Sequence, residues 1–282
     1  MCIRDSFTRA AEHCHVSQPS LSQQIIKLEQ QLGRPLFERL GRKVRLTDSG
    51  RTLYEHAVRI LASVHDAQSC LDVAQDWRES TLSVGAILTV APYLLPGALG
   101  PFRKQFPKSR VTVHEGFTAE LVRSCLTGDI DLAVVALPIQ DDRLVVEPLF
   151  TEELLLAMPA SKLPWSVRRP TLEDLNRMPF VLLDEMHCLG SQIVRFCQQQ
   201  ECLPAVTCKT AQLLTVQHMV ALGQGVSLVP ELAAREDTTG ACRYVSLGAE
   251  APRRTIALIR HKDRFRGELS NRFEQMLRRA IP

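Results

Sequence analysis

Cys188 and Cys197 stand nine positions apart, and His187 immediately precedes the first of them. Thiols can hold a metal, attack an electrophile or join in a disulfide, and the spacing discriminates among these. A zinc clip places its cysteines about two to four residues apart, so this pair has the wrong spacing for one. Nine helical residues rise about 13.5 Å and end roughly half a turn out of phase, which sets the two sulfurs far apart on opposite faces. A disulfide needs its Cα atoms within about 7 Å. Joining the pair would therefore require the backbone between them to refold, and a bond that forms only by moving the chain can act as a switch. The plainer alternative is packing. Cysteine is among the most frequently buried residues, and Cys197 follows Ile193 by four positions on what would be one helix face.

The rest of the chain bounds the compartment and the class. It has 282 residues, enough for two or three domains. Hydrophobic residues make up 45% and charged residues 23%, as in ordinary soluble proteins. A net charge of +3 is too small by itself to announce nucleic acid. No apolar run reaches the roughly 18 residues of a membrane-spanning helix, and no signal-peptide pattern opens the chain. Nine cysteines with no C-x-x-C pair do not read as a secreted disulfide framework. They fit a reducing cytoplasm, where a disulfide is transient or sensory. No His-x-x-x-His pair or acidic cluster suggests a metal, no Ser-His-Asp motif suggests catalysis, and Gly223-Gln224-Gly225 precedes a strand and reads as a turn. Neither metal, cofactor nor enzymatic activity is expected.

The elements begin with a short helix over residues 6–14, with Phe7, Ala10, Ala11 and Cys14 at helical spacing. Ser17 caps a second helix, Pro19 falls in its first turn and Gly33 ends it. Leu21, Ile25, Leu28 and Leu32 form its expected buried stripe, while Ser20, Gln23, Gln24 and Lys27 face outward with groups that can reach base edges and phosphates. Residues 34–47 then carry Arg34, Arg39, Arg42, Lys43 and Arg45 against the single acid Glu38. Gly41 marks a hairpin tip, and alternation puts Lys43 and Arg45 on one face, so the hairpin reads as a wing that grips phosphates.

Ala10, Ala11, Ser17, Gln18, Pro19, Leu21, Ser22, Ile25, Leu28, Glu29, Leu32, Gly33, Leu36, Phe37 and Arg39 resemble the DNA-binding domain of the LysR-type transcriptional regulators. The resemblance implies that Ser17, Gln18, Pro19, Ser20, Ser22, Gln23, Gln24, Lys27, Arg34, Arg42, Lys43 and Arg45 meet double-stranded promoter DNA. Family members carry a further helix before this point. Residues 1–5 stand in its place here, so the winged helix-turn-helix domain, 1–47, reads as N-terminally incomplete.

Thr47-Asp48-Ser49 is a helix-start signal. Beyond it Leu53, Ala57, Ile60, Val64, Ala67, Leu71 and Ala74 alternate spacings of four and three, the period of a helix that pairs with another helix. Residues 48–79 resemble the family's linker helix, with Leu53, Ala57, Ile60, Val64 and Leu71 expected at the dimer seam. A homodimer or homotetramer follows.

From residue 80 onward strand-like and helical segments alternate. Strands are expected at 81–86, 111–113, 132–137, 153–157, 180–183, 226–229 and 255–259, and helices at 94–106, 119–127, 191–200, 212–222 and 268–280. This pattern predicts α/β lobes with mostly parallel sheets. The whole is α/β, with a winged helix-turn-helix, a long linker helix and a two-lobed, periplasmic-binding-protein-like sensor. Lobe I covers about 80–152 plus 252–282, and lobe II about 153–251. Ligands in such folds bind in the crevice between lobes.

The segments 88–96, His114-Glu115 with Thr118, 186–189, Phe196-Cys197 and 252–256 are similar to the peroxide-sensing members of the family. That similarity implies Cys188 as the thiol oxidised by hydrogen peroxide, Cys197 as its disulfide partner, and Thr89, Thr118, His187 and Arg254 as the pocket around them. A cytosolic thiol reductant would reset the bond, and RNA polymerase is a candidate partner at the promoter. Cys202, Cys208 and Cys242 are additional thiols able to compete for oxidation. Two rivals stand beside this expectation. One is a LysR-type regulator that takes a small organic anion between its lobes, its cysteines incidental. The other is a solute-binding or thiol-peroxidase-like protein on the same lobes, which leaves the wing and reading helix without a purpose.

Overall fold

The computed structural model describes residues 7–40, 43–160, 170–176, 178–202 and 205–281. Its contacts divide into two units, Met1–His65 and Asp66–Pro282, each taken by itself below.

In the first unit the local signals act as the sequence predicts. Helix α1 (Phe7–His13) leads to α2 (Gln18–Leu32). Ser17 caps α2 in extended backbone, its Oγ accepting from the Ser20 N–H at 3.3 Å, and Pro19 sits in the first turn, where a missing N–H costs little. Gly33 closes the helix at φ 64, a left-handed conformation that favours glycine. Strands β1 (Phe37–Leu40) and β2 (Lys43–Leu46) pair antiparallel, with Glu38 opposite Arg45. The Phe7 and Phe37 rings meet edge to face at 5.4 Å and tie α1 to β1.

The expected buried stripe of α2 needs correction. Leu21, Ile25 and Leu28 are only half-buried and Leu32 is exposed. Ala11 and Leu36 are the buried hydrophobic residues of this unit among the described residues. Among the described residues, α1, the hairpin and the start of α3 leave these α2 side chains only partly covered. Residues 1–5, where the family's further helix is expected, lie outside the described residues.

Helix α3 (Asp48–Asp76) starts at the expected cap, the Gly50 N–H donating to Thr47 Oγ1 at 3.0 Å, and runs 29 residues across the boundary of the two units. A 3-10 turn at Trp77–Glu79 ends it.

The second unit contains β3 (Thr81–Ile87), α4 (Ala91–Gln105), β4 (Arg110–Gly116), α5 (Thr118–Thr127), β5 (Leu132–Ala136), β6 (Leu144–Pro159), α6 (Leu172–Leu175), β7 (Pro179–Leu183) and α7 (Cys188–Gln199). It continues through β8 (Ala205–Thr210), α8 (Leu213–Ala221), β9 (Ser227–Pro230), α9 (Glu231–Arg235), β10 (Cys242–Val245), β11 (Arg253–His261) and α10 (Glu268–Arg279). A seven-stranded sheet runs β10-β6-β11-β5-β3-β4, with β9 also paired to β6, and β7-β8 form a separate parallel pair.

The sheets are mixed rather than mostly parallel. β4, β3 and β5 run parallel, whereas β11 is antiparallel to both β5 and β6. The reason is connectivity. β10 already runs antiparallel to β6 along residues 159–156, and β11 keeps that direction along residues 153–144 on the other side of β6, so no crossover helix sets it parallel to β6 or β5.

Two hydrophobic cores result. One gathers β3, α4, α5, β5, β11 and α10 around Phe102 and Phe273, whose rings meet at 5.3 Å. The other gathers β7, α7, α8 and β9 around Phe180, Leu189 and Val216. The 16-residue β6 serves both, giving Leu144 to the first and Leu154 and Leu156 to the second. Each fully buried Leu or Phe stabilises by about 1.5–3 kcal/mol. Among the described residues no helix is long and apolar enough to cross a membrane.

Candidate functional site

Cys188 opens α7, with His187 as the N-cap. The turn feeding the helix is held by short-range hydrogen bonds of its own residues. The Met186 N–H donates to Asp184 Oδ1 at 2.9 Å, the His187 N–H to the Asp184 carbonyl at 3.0 Å, and Ser191 Oγ to the Glu185 carbonyl at 2.8 Å. Gly190 permits this approach. A Cβ there would lie 2.5 Å from the carbonyl oxygens of both Leu183 and Asp184. Cys188 therefore occupies the first turn of a helix anchored to the end of β7, where free N–H groups and the macrodipole favour negative charge.

The two thiols of α7 belong to different cores. Cys188 is half-buried and packs against the core built around Phe102, while Cys197 is buried in the core around Phe180. Both are free thiols within one continuous helix, so the rise of about 13.5 Å applies. Burial pushes the Cys197 thiol up to about 12, and burial likewise takes the Cys125 thiol to about 12. Since the thiolate is the nucleophile, neither is a ready first target for an oxidant.

His187 is buried, makes no side-chain capping bond, and meets the Phe117 ring edge to face at 4.9 Å. Phe117 is the N-cap of α5, and Thr118 is that helix's first residue, so the N-termini of α5 and α7 converge. Thr118 Oγ1 is shut off from solvent there with no hydrogen-bond partner among the described residues. A buried hydroxyl without a partner costs free energy, and at this place it is a group open to a small polar ligand. Gln192, one turn along α7, donates from Nε2 to the Leu137 carbonyl at 3.0 Å, while its Oε1 is also buried without a partner.

Thr89 and Arg254 are joined to each other. Arg254 donates from Nη1 to Thr89 Oγ1 at 2.9 Å and from Nη2 to the Thr89 carbonyl at 3.2 Å. Its Nε donates to Glu152 Oε1 at 2.8 Å, and Glu152 Oε2 accepts the Leu232 N–H at 2.8 Å. Arg254 and Glu152 face each other across the β11–β6 ladder and both are buried. The guanidinium is thus matched by a carboxylate and locks the β3–α4 corner to the sheet. Leu137, which Gln192 reaches, donates its N–H to the Thr255 carbonyl at 2.9 Å, so Leu137 links α7 to the strand that carries Arg254.

Sequence reasoning missed several members. Glu152 carries no local signal, because its partner is set by cross-strand register. Phe117 falls just outside the helix expected at 119–127 with nothing to mark it, and Gln192 reads as an ordinary helix residue. In the first unit, Glu29 Oε1 accepts the N–H groups of Leu36 and Phe37 at 2.7 and 3.1 Å and fixes the start of the wing.

The residues expected to meet DNA lie as follows. Ser17, Gln18, Pro19, Ser20, Gln23, Gln24 and Lys27 are exposed along the N-terminal half of α2, with Ser22 half-buried, and Arg34 and Arg45 are exposed. Arg42 lies outside the described residues, as do Gly41 at the expected tip and the side chain of Lys43. On α3, Leu53 and Ala57 are half-buried and Ile60 and Val64 are exposed, with Leu61 beside them as a further exposed apolar residue. The side chain of Leu71 lies outside the described residues.

A winged two-helix unit followed by a long helix and a double-cored α/β unit defines a class of DNA-binding regulator. Residues 2–51 match the bacterial regulatory helix-turn-helix protein, lysR family, and residues 76–282 match the LysR substrate binding domain. The chain belongs to the LysR family of transcriptional regulators, which are not enzymes. Within that family it is similar to OxyR proteins. It is 36% identical to the hydrogen peroxide-inducible genes activator of Dickeya chrysanthemi, over 96% of this chain and 88% of that protein. It is 35% identical to the DNA-binding transcriptional dual regulator OxyR of Escherichia coli K12, again over 96% and 88%. A full-length OxyR from Pseudomonas aeruginosa, solved as a single-substitution variant, superposes with a TM-score of 0.74 at 32% identity, covering 98% of this chain and 89% of that one.

Proposed function

We propose that this regulator senses hydrogen peroxide at Cys188 and reports it to promoter DNA through a reversible Cys188–Cys197 disulfide. The observation that carries the reading is the placement of the two thiols. They share α7 but belong to different cores, so a bond between them cannot form while the helix stays wound.

The steps balance simply. The Cys188 thiolate attacks one peroxide oxygen, giving a sulfenic acid and hydroxide. The Cys197 thiol then condenses with it, forming the disulfide and releasing water. Thr118, with its unpartnered Oγ1, and His187 beside it would hold the peroxide and donate to the leaving oxygen. In this reading Thr89 and Arg254 complete the pocket, Arg254 acting through its bond to the Thr89 hydroxyl. Unwinding of α7 frees the Gln192–Leu137 link between the two cores, which serve as the lobes of the sensor. A cytosolic thiol reductant reverses the bond by exchange. The exposed face of α2 and the basic wing meet the promoter, and α3 pairs two copies, so that two wings address a two-fold site.

The test is a peroxide-responsive promoter reporter with parallel trapping of sulfenic acid by a dimedone-type reagent. Cys188→Ser is expected to abolish induction, and Cys197→Ser to leave a trappable sulfenic acid at Cys188. Induction by peroxide that survives Cys188→Ser would sink the reading and favour a regulator that takes a small organic anion between its lobes.

A further inference from the structure

Helix α7 ends in a way that pairs Cys197 with a third thiol. The Cys202 N–H donates to the Cys197 carbonyl at 2.8 Å, and the Glu201 N–H donates to the Gln198 carbonyl at 3.3 Å. Glu201 takes φ 52, the left-handed conformation. These are the two bonds and the backbone of a Schellman ending, in which the third residue from the helix end touches the residue two past its cap. Here those residues are Cys197 and Cys202. Both are buried in the same core, 6% and 1% exposed. Covalent lengths added to the 2.8 Å bond hold their Cα atoms to about 7 Å at most, within the bridgeable limit. Cys197 thus has two possible partners, of which Cys188 requires α7 to unwind and Cys202 does not.

We propose that Cys202 is a third redox residue, which takes Cys197 from the Cys188–Cys197 disulfide by thiol–disulfide exchange and so ends the signal from within. This rests on the peroxide reading above. The Cys202 thiolate attacks the Cys197 sulfur, a Cys197–Cys202 bond forms, the Cys188–Cys197 bond breaks, and Cys188 leaves as a thiolate. No electrons are gained or lost overall, because the oxidising equivalent supplied by peroxide only moves. α7 can then rewind with Cys188 reduced while Cys197 stays oxidised. The exchange rests on proximity: Cys202 already sits beside Cys197 at the end of α7, in the same core.

The test is a time course on the full chain after about one equivalent of hydrogen peroxide, the stoichiometry of a single disulfide. Samples are quenched by alkylation, cut after Arg195 and after Glu201, and mapped by mass spectrometry without reduction. In the wild type the Cys188–Cys197 link should rise and then fall as a Cys197–Cys202 link replaces it and Cys188 becomes alkylatable again. In Cys202→Ser, and in Cys202→Ala as a second variant should the first fold poorly, the Cys188–Cys197 link should persist several-fold longer. In Cys188→Ser the Cys197–Cys202 link should not form at this dose. Equal persistence in wild type and variants, or a Cys197–Cys202 link that appears as fast without Cys188, would overturn the exchange and leave the peroxide reading intact. A Cys188 that stays unoxidised in every protein would overturn both.

Discussion

Arg254 carries a charge in a place where charge is expensive. Burying a guanidinium is tolerable only if a carboxylate and further acceptors complete its shell, and Glu152 and Thr89 do so. Removing one partner should therefore cost far more than removing both. Glu152→Gln is expected to lose about 3–5 kcal/mol in urea unfolding at neutral pH, and Glu152→Leu combined with Arg254→Met to recover most of that loss. A loss from Glu152→Gln no larger than that of a surface substitution would show the pair to be dispensable. Cys125 gives a second test at this scale. Burial, with the Asp131 charge adding to it, raises its thiol from 9.0 to about 12 in the folded state. The raised value means that the folded form holds its proton longer than the unfolded chain. The associated stability is complete below about pH 9 and is lost as pH rises toward 12. Cys125→Ala should thus be less stable than wild type at pH 7 but close the gap between pH 9 and pH 11, measured as the difference in unfolding free energy. A gap that is constant with pH would contradict it.

At the scale of elements, α7 matters through its first turn. Gly190→Ala would drive a Cβ to 2.5 Å from two carbonyl oxygens, so the helix start must shift away from β7. The expected outcome is a loss of about 1–3 kcal/mol together with slower oxidation of Cys188 by peroxide, followed by stopped-flow or timed alkylation. An unchanged oxidation rate would separate the turn from the chemistry. What the sequence disclosed and what it hid differ by range. Ser17, Pro19, Gly33 and Thr47 act on backbone groups a few residues away, so the boundaries of α2 and the start of α3 could be read directly. β8 and β10 could not, because each is short and buries no residue, so the alternation of Val206 and Cys208 or of Cys242 and Tyr244 with polar neighbours marks no core face. β6 was visible only in its second half, since its first half mixes Glu147, Pro148 and Leu149 without a period. The antiparallel entry of β11 was hidden because strand direction depends on where the chain comes from. At the site, Thr89 and Arg254 follow from their family motifs, but Glu152 completes them only through the register of two strands a hundred residues apart. The contact of Cys202 with Cys197 escaped notice because Glu201 occupies the left-handed position where a glycine would have announced the turn.

For the whole molecule the decisive surface is the exposed apolar run on α3. Ile60 is 62% exposed, Leu61 68% and Val64 49%, on a helix whose period of three and four is that of a pairing seam. Left in water these residues form the kind of contiguous patch that a soluble monomer rarely keeps. Burying each against a second copy would contribute on the order of 1.5–3 kcal/mol, enough for three residues per chain to outweigh the polar cost of association. Replacing Ile60 and Val64 together with Asp should therefore leave both units folded by circular dichroism while shifting sedimentation to the monomer. DNA affinity should fall with it, because a single reading helix and wing occupy only half of a two-fold site and lose the gain that comes from linking two binding events. Peroxide oxidation of Cys188 should be unaltered in the same variant, since the thiol sits on α7 in a core that α3 residues 60 and 64 do not enter. A double variant that remains dimeric would place the seam elsewhere. One that becomes monomeric yet binds promoter DNA as before would remove dimerisation from the account of how oxidation reaches the promoter.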